Sequence, residues 1–441
     1  MGRLIRRLAL ATLLVAGLLA VRPASVHAFS GFGPVSADAT YGKEMTFSVD
    51  LEGGAPQQLE LLLDFSGSSA TFVAPVSASG TAATYRWDAA ADYVTPNTRI
   101  GYRWRATQGG RAIESEAGTL LYDDDRPGLG WETATVGDAV LHWVGGAEDQ
   151  ARHFGDLTAG AASRAEKLLG HDLDAPVDIF VYQTQDQFFG ALGPGAREWT
   201  GAAAYPELRT VFMYLQGNPQ SYLDSVVTHE VTHVVFRDAT QNPYHEPARW
   251  LNEGLATWSE QQNADAQRGA VQDAAGGDRL LAFDAITQQF PIDDSAARLA
   301  YAEGTTMVAM IIAQHGTEAI ARMAAAYRDG STDAAALQAA TGEPADQLYA
   351  DYFDSFGADP PRAVTSDPLL PSTVRMPDGS LASGAPQVGG AATARPGDAA
   401  PAGSGDRGWS DWLFVIPLVL LIAGGLFVAR RLTRRAQRSD D

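Results

Sequence analysis

The segment with the clearest chemical meaning in this 441-residue chain is Thr228-His229-Glu230-Val231-Thr232-His233. Residues four positions apart lie one above the other on an α-helix, so both imidazoles can reach one zinc ion at about 2.0–2.1 Å. Glu230 lies roughly 100° around the helix from His229 and therefore sits beside the metal, where it can accept a proton from water. The pattern H-E-x-x-H predicts a metal-dependent hydrolytic site, against the alternative of two histidines on an exposed helix face.

A zinc ion held by two histidines needs a third protein ligand and one open position for water. Twenty residues after His233 the chain reads Trp250-Leu251-Asn252-Glu253-Gly254-Leu255-Ala256. Pro247 suits a helix start and places Glu253 in the second turn. Gly254 would allow another backbone to approach closely beside it. Because the chain has no cysteine, any metal must be held by His, Asp or Glu.

The two histidines depend on a helix to hold them. Ser221 with Asp224 three residues later is typical of a capping box. Apolar residues then recur at helical spacing, at Leu223, Val227, Val231 and Val234. On the second helix, Thr257 lies one turn after Glu253, where it could hydrogen-bond a ligand histidine.

The pair HEVTH and WLNEGLA resembles the gluzincin signature, and residues 131–358 are similar to peptidase MA-like domains. The resemblance implies a thermolysin-like α+β zincin fold and hydrolysis of peptide bonds. It implies that His229, His233 and Glu253 bind one Zn²⁺ per chain and that Glu230 is the general base. Gluzincins commonly use a downstream tyrosine or histidine to stabilise the oxyanion, and Tyr301 is the candidate here; a packing role is the alternative.

Other zinc peptidase patterns fit less well. Metzincins require a glycine and a third histidine downstream, where this chain has Phe236 and Ala239. The aminopeptidases that share the WLNEG segment carry a G-x-M-E-N stretch. Here the comparable position reads Gly201-Ala202-Ala203-Ala204-Tyr205, without a glutamate. A classical aminopeptidase role is therefore not expected.

Residues 29–128 indicate an all-β module. Short β-rich segments at 45–49, 59–65, 83–87 and 99–106 are separated by turn residues, which favours a sandwich that resembles an immunoglobulin-like or fibronectin-like module. Gln108-Gly109-Gly110-Arg111 reads as a hairpin turn. The acidic run 123–128 that follows is expected to be a solvated connector.

The peptidase-like region 131–358 is predicted to be α+β with two lobes, because strands come first and helices later. We expect strands at 139–144, 177–182 and 210–215, and helices at 148–169, 296–315, 317–328 and 345–356. The strand at 210–215 is a candidate for aligning an extended substrate by β-augmentation.

Both ends of the chain predict a membrane protein. Residues 1–28 have the basic start, apolar run and small-residue cleavage site of a signal peptide; an uncleaved anchor is the alternative. Residues 359–408 have the composition of a disordered stalk rich in Pro, Gly and Ala. Residues 412–429 are apolar enough for a single transmembrane helix, and 430–441 form a basic tail expected to be cytoplasmic. The catalytic region would then lie outside the cell membrane.

The formal net charge of −21 argues against nucleic acid as a partner. The expected partners are a peptide or protein substrate and the membrane. Two other functions remain open: a non-catalytic surface binding or scaffold protein with a vestigial zinc site, and a zinc amidohydrolase acting on a non-peptide amide. The sequence does not distinguish endopeptidase from exopeptidase action, and it leaves the oligomeric state open.

Overall fold

The computed structural model describes residues 28–361, apart from 146–147, 193–200, 263 and 292. The predicted signal peptide, transmembrane helix and basic tail, and nearly all of the stalk, lie outside this range. Across the part of the chain that the structure describes, no helix combines the length and the apolar composition needed to span a membrane. The described residues fall into two compact units, one containing 28–159 and 175–218 and the other containing 160–174 and 219–361.

The N-terminal module is a β-sandwich, as the sequence predicts. One sheet has the order β1-β2-β5, and the other has the order β4-β3-β6-β7 with β8 also paired to β6. A single apolar core fills the space between them and includes Phe47, Leu61 and Trp104, all fully buried. The strands are β1 Gly31–Thr40, β2 Glu44–Glu52, β3 Gln58–Phe65, β4 Thr71–Pro75, β5 Ala82–Asp88, β6 Thr98–Gln108, β7 Arg111–Glu114 and β8 Gly118–Tyr122.

The hairpin between β6 and β7 is confirmed. Gln108 pairs with Arg111, and the two glycines between them have φ of 57° and 78°. A two-residue turn with both central residues at positive φ matches the twist of paired strands. Along β6 the aromatic residues Tyr102 and Trp104 point into the core, while the arginines between them are half-buried.

The connector between the module and the next sheet is not the solvated linker expected from its charge. Asp124 is fully buried, and Arg126 donates two hydrogen bonds to its carboxylate, at 2.7 and 2.6 Å. The hydroxyl of Tyr182 donates a third, at 2.9 Å. A buried carboxylate is tolerated when it is paired and hydrogen-bonded, and the partners here are 2 and 58 residues away. No local sequence pattern indicates the contact with Tyr182, because the two residues are 58 positions apart.

A five-stranded sheet follows, with the order β12-β13-β11-β10-β9. Its strands are β9 Trp131–Val136, β10 Ala139–Val144, β11 Val177–Tyr182, β12 Ala202–Tyr205 and β13 Thr210–Tyr214. The expected role of 210–215 in β-augmentation is wrong, because β13 pairs in parallel with β11 on one side and antiparallel with β12 on the other. With both sides occupied, β13 has no free backbone groups to offer an extended peptide.

The helices follow the predicted order, with additions. Those at 148–169, 294–315, 318–328 and 345–355 agree with the sequence-based bounds within two residues. The short helices α2, α5 and α8, and strands β9 and β12, were not predicted. The helices are α1 Glu148–Leu169, α2 Gln185–Leu192, α3 Gln220–Thr240, α4 Arg249–Ser259, α5 Ala264–Ala275, α6 Asp294–His315, α7 Glu318–Arg328, α8 Asp333–Thr341 and α9 Ala345–Ser355.

Helix α3 does not begin with the expected capping box. It starts at Gln220 after Pro219, which has an extended backbone conformation and makes no side-chain cap. Proline is compatible with a helix start because its missing N–H would have no helical partner there. Asp224 instead accepts a hydrogen bond from the Gln220 side chain, at 2.7 Å. The predicted helix is therefore present, but it starts by a different mechanism.

Helices α4 and α6 cross with their backbones almost in contact at two glycines. A Cβ atom added to Gly254 would lie 2.4 Å from the carbonyl carbon of Gly304, and one added to Gly304 would lie 2.4 Å from the carbonyl oxygen of Trp250. The expectation that Gly254 permits close backbone approach is confirmed. The crossing places Glu253, beside Gly254, next to the helix that carries Tyr301.

Replacing Gly254 with alanine should destabilise the protein by more than about 1–3 kcal/mol, because the added methyl group overlaps backbone that cannot rotate away. Gly269→Ala is the matched control: Gly269 also lies within a helix, α5, but nothing approaches its Cβ position within 4 Å. That substitution should stabilise the protein by about 0.5–1 kcal/mol. Denaturant unfolding of both variants tests the difference, and equal unfolding free energies would contradict the close crossing.

Candidate metal centre

Helix α3 carries the two histidines on one buried face. His229 and His233 are 1% and 2% exposed, and their ring centroids are 4.7 Å apart. The Nε2 atom of His229 is buried without a hydrogen-bond partner among the described residues. Because they are four residues apart on one helix, the two side chains extend from the same face.

Glu253 joins them from α4. Its Oε2 atom lies 3.7 Å from Nε2 of His229 and 3.5 Å from Nε2 of His233. Oε2 is also buried and has no hydrogen-bond partner in the described structure. Atoms that each lie about 2.0–2.2 Å from one zinc ion are separated by roughly 3–4 Å. The three side chains could therefore hold a metal ion, and the unpartnered buried atoms are the ones a metal would satisfy.

The other ring nitrogen of each histidine is held by an acceptor. Nδ1 of His229 donates to Oε1 of Glu260 at 2.8 Å, and Nδ1 of His233 donates to Oδ1 of Asn252 at 2.8 Å. Ser225 in turn donates to Oε2 of Glu260, at 2.6 Å. A hydrogen on Nδ1 leaves the lone pair on Nε2, so these contacts direct both lone pairs toward the same point.

The residues that position the two histidines are Glu260 and Asn252, whereas the sequence predicts Thr257. Thr257 is buried, but its hydroxyl has no hydrogen-bond partner among the described residues, so the predicted contact with a ligand histidine is wrong. Glu260, about one helical turn after Thr257, makes the contact with His229 instead. The available sequence signals were the position of Asn252 directly before Glu253 and the spacing of Glu260, two helical turns after Glu253.

The charges around His229 and Glu253 favour a proton on His229, and a metal ion would have to replace it. Burial opposes the charged imidazolium, but the neighbouring carboxylates of Glu253 and Glu260 raise the pKa of His229 to about 10. Against the opposing effect of burial, His233, His229 and Arg249 hold the pKa of Glu253 well below its ordinary range. In the metal-free protein His229 therefore binds a proton at neutral pH. Metal binding must displace that proton, so metal affinity falls as the pH is lowered.

Glu230 and Tyr301 complete the cluster. Glu230 is 4% exposed, and its charge contributes to the raised pKa of both His229 and Tyr301. Tyr301, on α6, is 5% exposed and packs edge-to-face on Phe290 at 5.1 Å. Burial and the charge of Glu253 raise the pKa of Tyr301 well above its ordinary value, so it stays a neutral donor. Its hydroxyl has no partner among the described residues.

Residues 158–355 match the sequence model of the Peptidase MA superfamily. The match supports a peptidase MA-like domain over this range. No curated protein sequence was found to match the chain.

Several solved structures are similar to the chain at low identity. An aminopeptidase N family protein from Idiomarina loihiensis is 9% identical over 72% of this chain and 69% of its own, with a TM-score of 0.34. An M1 zinc metallopeptidase mutant from Deinococcus radiodurans, bound to Tyr-ser-ala substrate, is 12% identical over 75% and 93%, with a TM-score of 0.33. BhCBM56 is 9% identical over 21% of this chain and 99% of its own, with a TM-score of 0.17. At these TM-scores the similarities add nothing to the family assignment.

Two other titratable side chains of this region, Glu303 and His171, make hydrogen bonds away from the metal centre. Glu303, two residues after Tyr301, is fully buried, and burial raises its pKa to about 8. It accepts a hydrogen bond from the backbone N–H of Leu281, at 2.9 Å. His171 pairs with Asp238 at 2.7 Å.

Removing the Glu260 carboxylate should weaken metal binding without unfolding the domain. In Glu260→Ala the Nδ1 atom of His229 loses its acceptor, and loss of such a contact lowers metal affinity about 10- to 100-fold. Glu246→Ala is the matched control, because Glu246 is exposed and pairs with Arg237 instead. Zinc affinity measured by chelator competition tests this, and an unchanged affinity in Glu260→Ala would show that Glu260 does not position His229.

Proposed function

We propose that this protein is a membrane-anchored, extracytoplasmic zinc metallopeptidase that hydrolyses peptide bonds. His229, His233 and Glu253 would hold one zinc ion, with Glu230 as the general base. The observation that carries the proposal is the convergence of buried, unpartnered atoms on a single point, with two positioning acceptors behind them. The match of residues 158–355 to the Peptidase MA superfamily supports it independently.

The donor set favours zinc. Two imidazole nitrogens and one carboxylate oxygen are the protein ligands typical of catalytic zinc sites that keep a position open. The absence of cysteine removes the thiolate ligands that favour closed structural sites. When bound, zinc supplies a Lewis acid that lowers the pKa of water and polarises a carbonyl group.

Glu230 and Tyr301 would perform the proton transfer and the charge stabilisation. Glu230 follows His229 on α3, so its carboxylate lies beside the ligand face and can accept the proton of the attacking water. The same carboxyl group then delivers that proton to the leaving amine. Tyr301 retains its hydroxyl hydrogen and can donate a hydrogen bond to the oxygen that becomes negative.

The cellular location rests on the two ends of the sequence. A signal peptide at 1–28, an apolar stretch at 412–429 and arginines after it together favour a single-pass protein whose catalytic region is outside. The long Pro-, Gly- and Ala-rich stretch before the apolar segment would act as a stalk.

The catalytic proposal is tested with full-length protein in detergent. The wild type should contain about one zinc ion per chain and cleave members of a mixed peptide library. Glu230→Gln preserves the side-chain shape but cannot accept the proton, so activity should fall about 10²- to 10⁴-fold with zinc content unchanged. Absence of zinc under metal-replete conditions would refute the metal site.

The other candidate functions correspond to distinct outcomes of the same experiment. Full zinc occupancy with no cleavage of any peptide, together with no effect of Glu230→Gln on any assay, would favour a binding or scaffold role. Glu230-dependent cleavage of N-acyl amides in place of peptides would identify an amidohydrolase.

Topology is tested by adding protease to intact cells. We expect the protease to remove the region 29–408 and to leave a membrane fragment that retains the C-terminal arginines. An epitope tag at the C-terminus should be protected until the membrane is permeabilised. A tag that is digested in intact cells would contradict the proposed orientation.

A further inference from the structure

Arg249 is a charged residue next to the metal centre that the mechanism above does not use. It is the first residue of α4, and its side chain is only 11% exposed. Its Nε atom is buried and has no hydrogen-bond partner among the described residues. A buried donor without an acceptor is costly, so such a group calls for an explanation.

The guanidinium of Arg249 lies beside Glu253 and Phe290. Its Nη2 atom lies 3.5 Å from Oε1 of Glu253, the oxygen other than the one that faces the histidines. Its central carbon lies 5.6 Å from the ring centroid of Phe290. The same ring packs against Tyr301, whose hydroxyl also lacks a partner in the described structure. Two buried donors without acceptors therefore flank Phe290 beside Glu253.

The contact with Glu253 does not satisfy the guanidinium. Charge-assisted hydrogen bonds are about 2.7–2.9 Å long, and the guanidinium has five N–H donors. A positive charge at the N-terminal end of a helix is also disfavoured by the helix dipole. When Glu253 is engaged by a metal ion, less of its negative charge remains for Arg249. An additional anion is the partner that the arrangement lacks.

We propose that Arg249 binds a carboxylate of the substrate, next to the metal. The planar guanidinium matches a carboxylate in shape and charge. The inference rests on the proposed peptidase function and names its substrate class: peptides with a free carboxylate close to the scissile bond. That carboxylate can be the C-terminus of a short peptide or an acidic side chain, and both present the same group.

Matched peptides distinguish these two sources. One pair differs only by a free or amidated C-terminus, and a second pair differs only by Glu or Gln beside the scissile bond. One charge-assisted contact corresponds to about a 10- to 100-fold preference in kcat/KM for the charged member. A preference in the first pair identifies the C-terminus, and one in the second identifies a side chain. No preference in either pair would overturn the proposal.

Variants of Arg249 test whether the preference belongs to this residue. Arg249→Met should abolish the preference, so that the charged and neutral members of each pair are cleaved with equal kcat/KM, and Arg249→Lys should retain part of the preference. Arg237→Met is the matched control, because Arg237 pairs with the exposed Glu246. An equal loss on charged and neutral peptides in both Arg249 variants would show that the residue only supports Glu253, and would overturn the proposal.

A binding measurement separates this inference from the peptidase function. Calorimetry compares an N-acetyl dipeptide acid with its amide, using zinc-loaded wild-type and Arg249→Met protein. Tighter binding of the acid by about 10-fold or more in the wild type alone supports the carboxylate site even if no peptide is cleaved. Equal binding of the acid by both proteins would show that Arg249 does not hold it.

Discussion

Three buried side chains whose polar atoms converge on one point are the constraint on which the rest of this domain depends. Two imidazole nitrogens and a carboxylate oxygen are withdrawn from water within 4.8 Å of one another. Such a group is costly unless something satisfies it, and a proton or a metal ion can do so. The surrounding residues keep these atoms directed toward one point when no metal ion is bound.

Two sets of contacts hold these three side chains in position. Glu260 and Asn252 hold the far nitrogens of the histidines, so neither ring can rotate without losing a hydrogen bond. The crossing of α4 and α6 at Gly254 and Gly304 sets the depth at which Glu253 sits. Helix α4 and the residue that caps it, Glu260, thus supply a ligand, both positioning acceptors and the contact that fixes the position of the helix. The same helix carries Arg249, so a single element combines metal binding with the group proposed to select the substrate.

The first unit shows the same dependence on partners distant in sequence. Asp124 lies in a run of three acidic residues that reads as a solvated connector, yet it is buried and held by Arg126 and Tyr182. The consequence is a connector joined by hydrogen bonds to β11. The β-sandwich and the five-stranded sheet therefore belong to one compact unit. A junction of this kind differs from a flexible linker between independent modules.

The sequence by itself determined the features that depend on local periodicity. The spacing of His229 and His233 predicts two ligands on one helix face, the alternation in β6 predicts its buried side, and the two glycines after Gln108 predict its turn. Tertiary structure alone decided which acceptors hold the histidines, that β13 lies between two other strands, and that Asp124 is buried. These features arise from contacts between segments that are far apart along the chain. Their energies depend on which surfaces meet on folding, and no local pattern of residues encodes that choice.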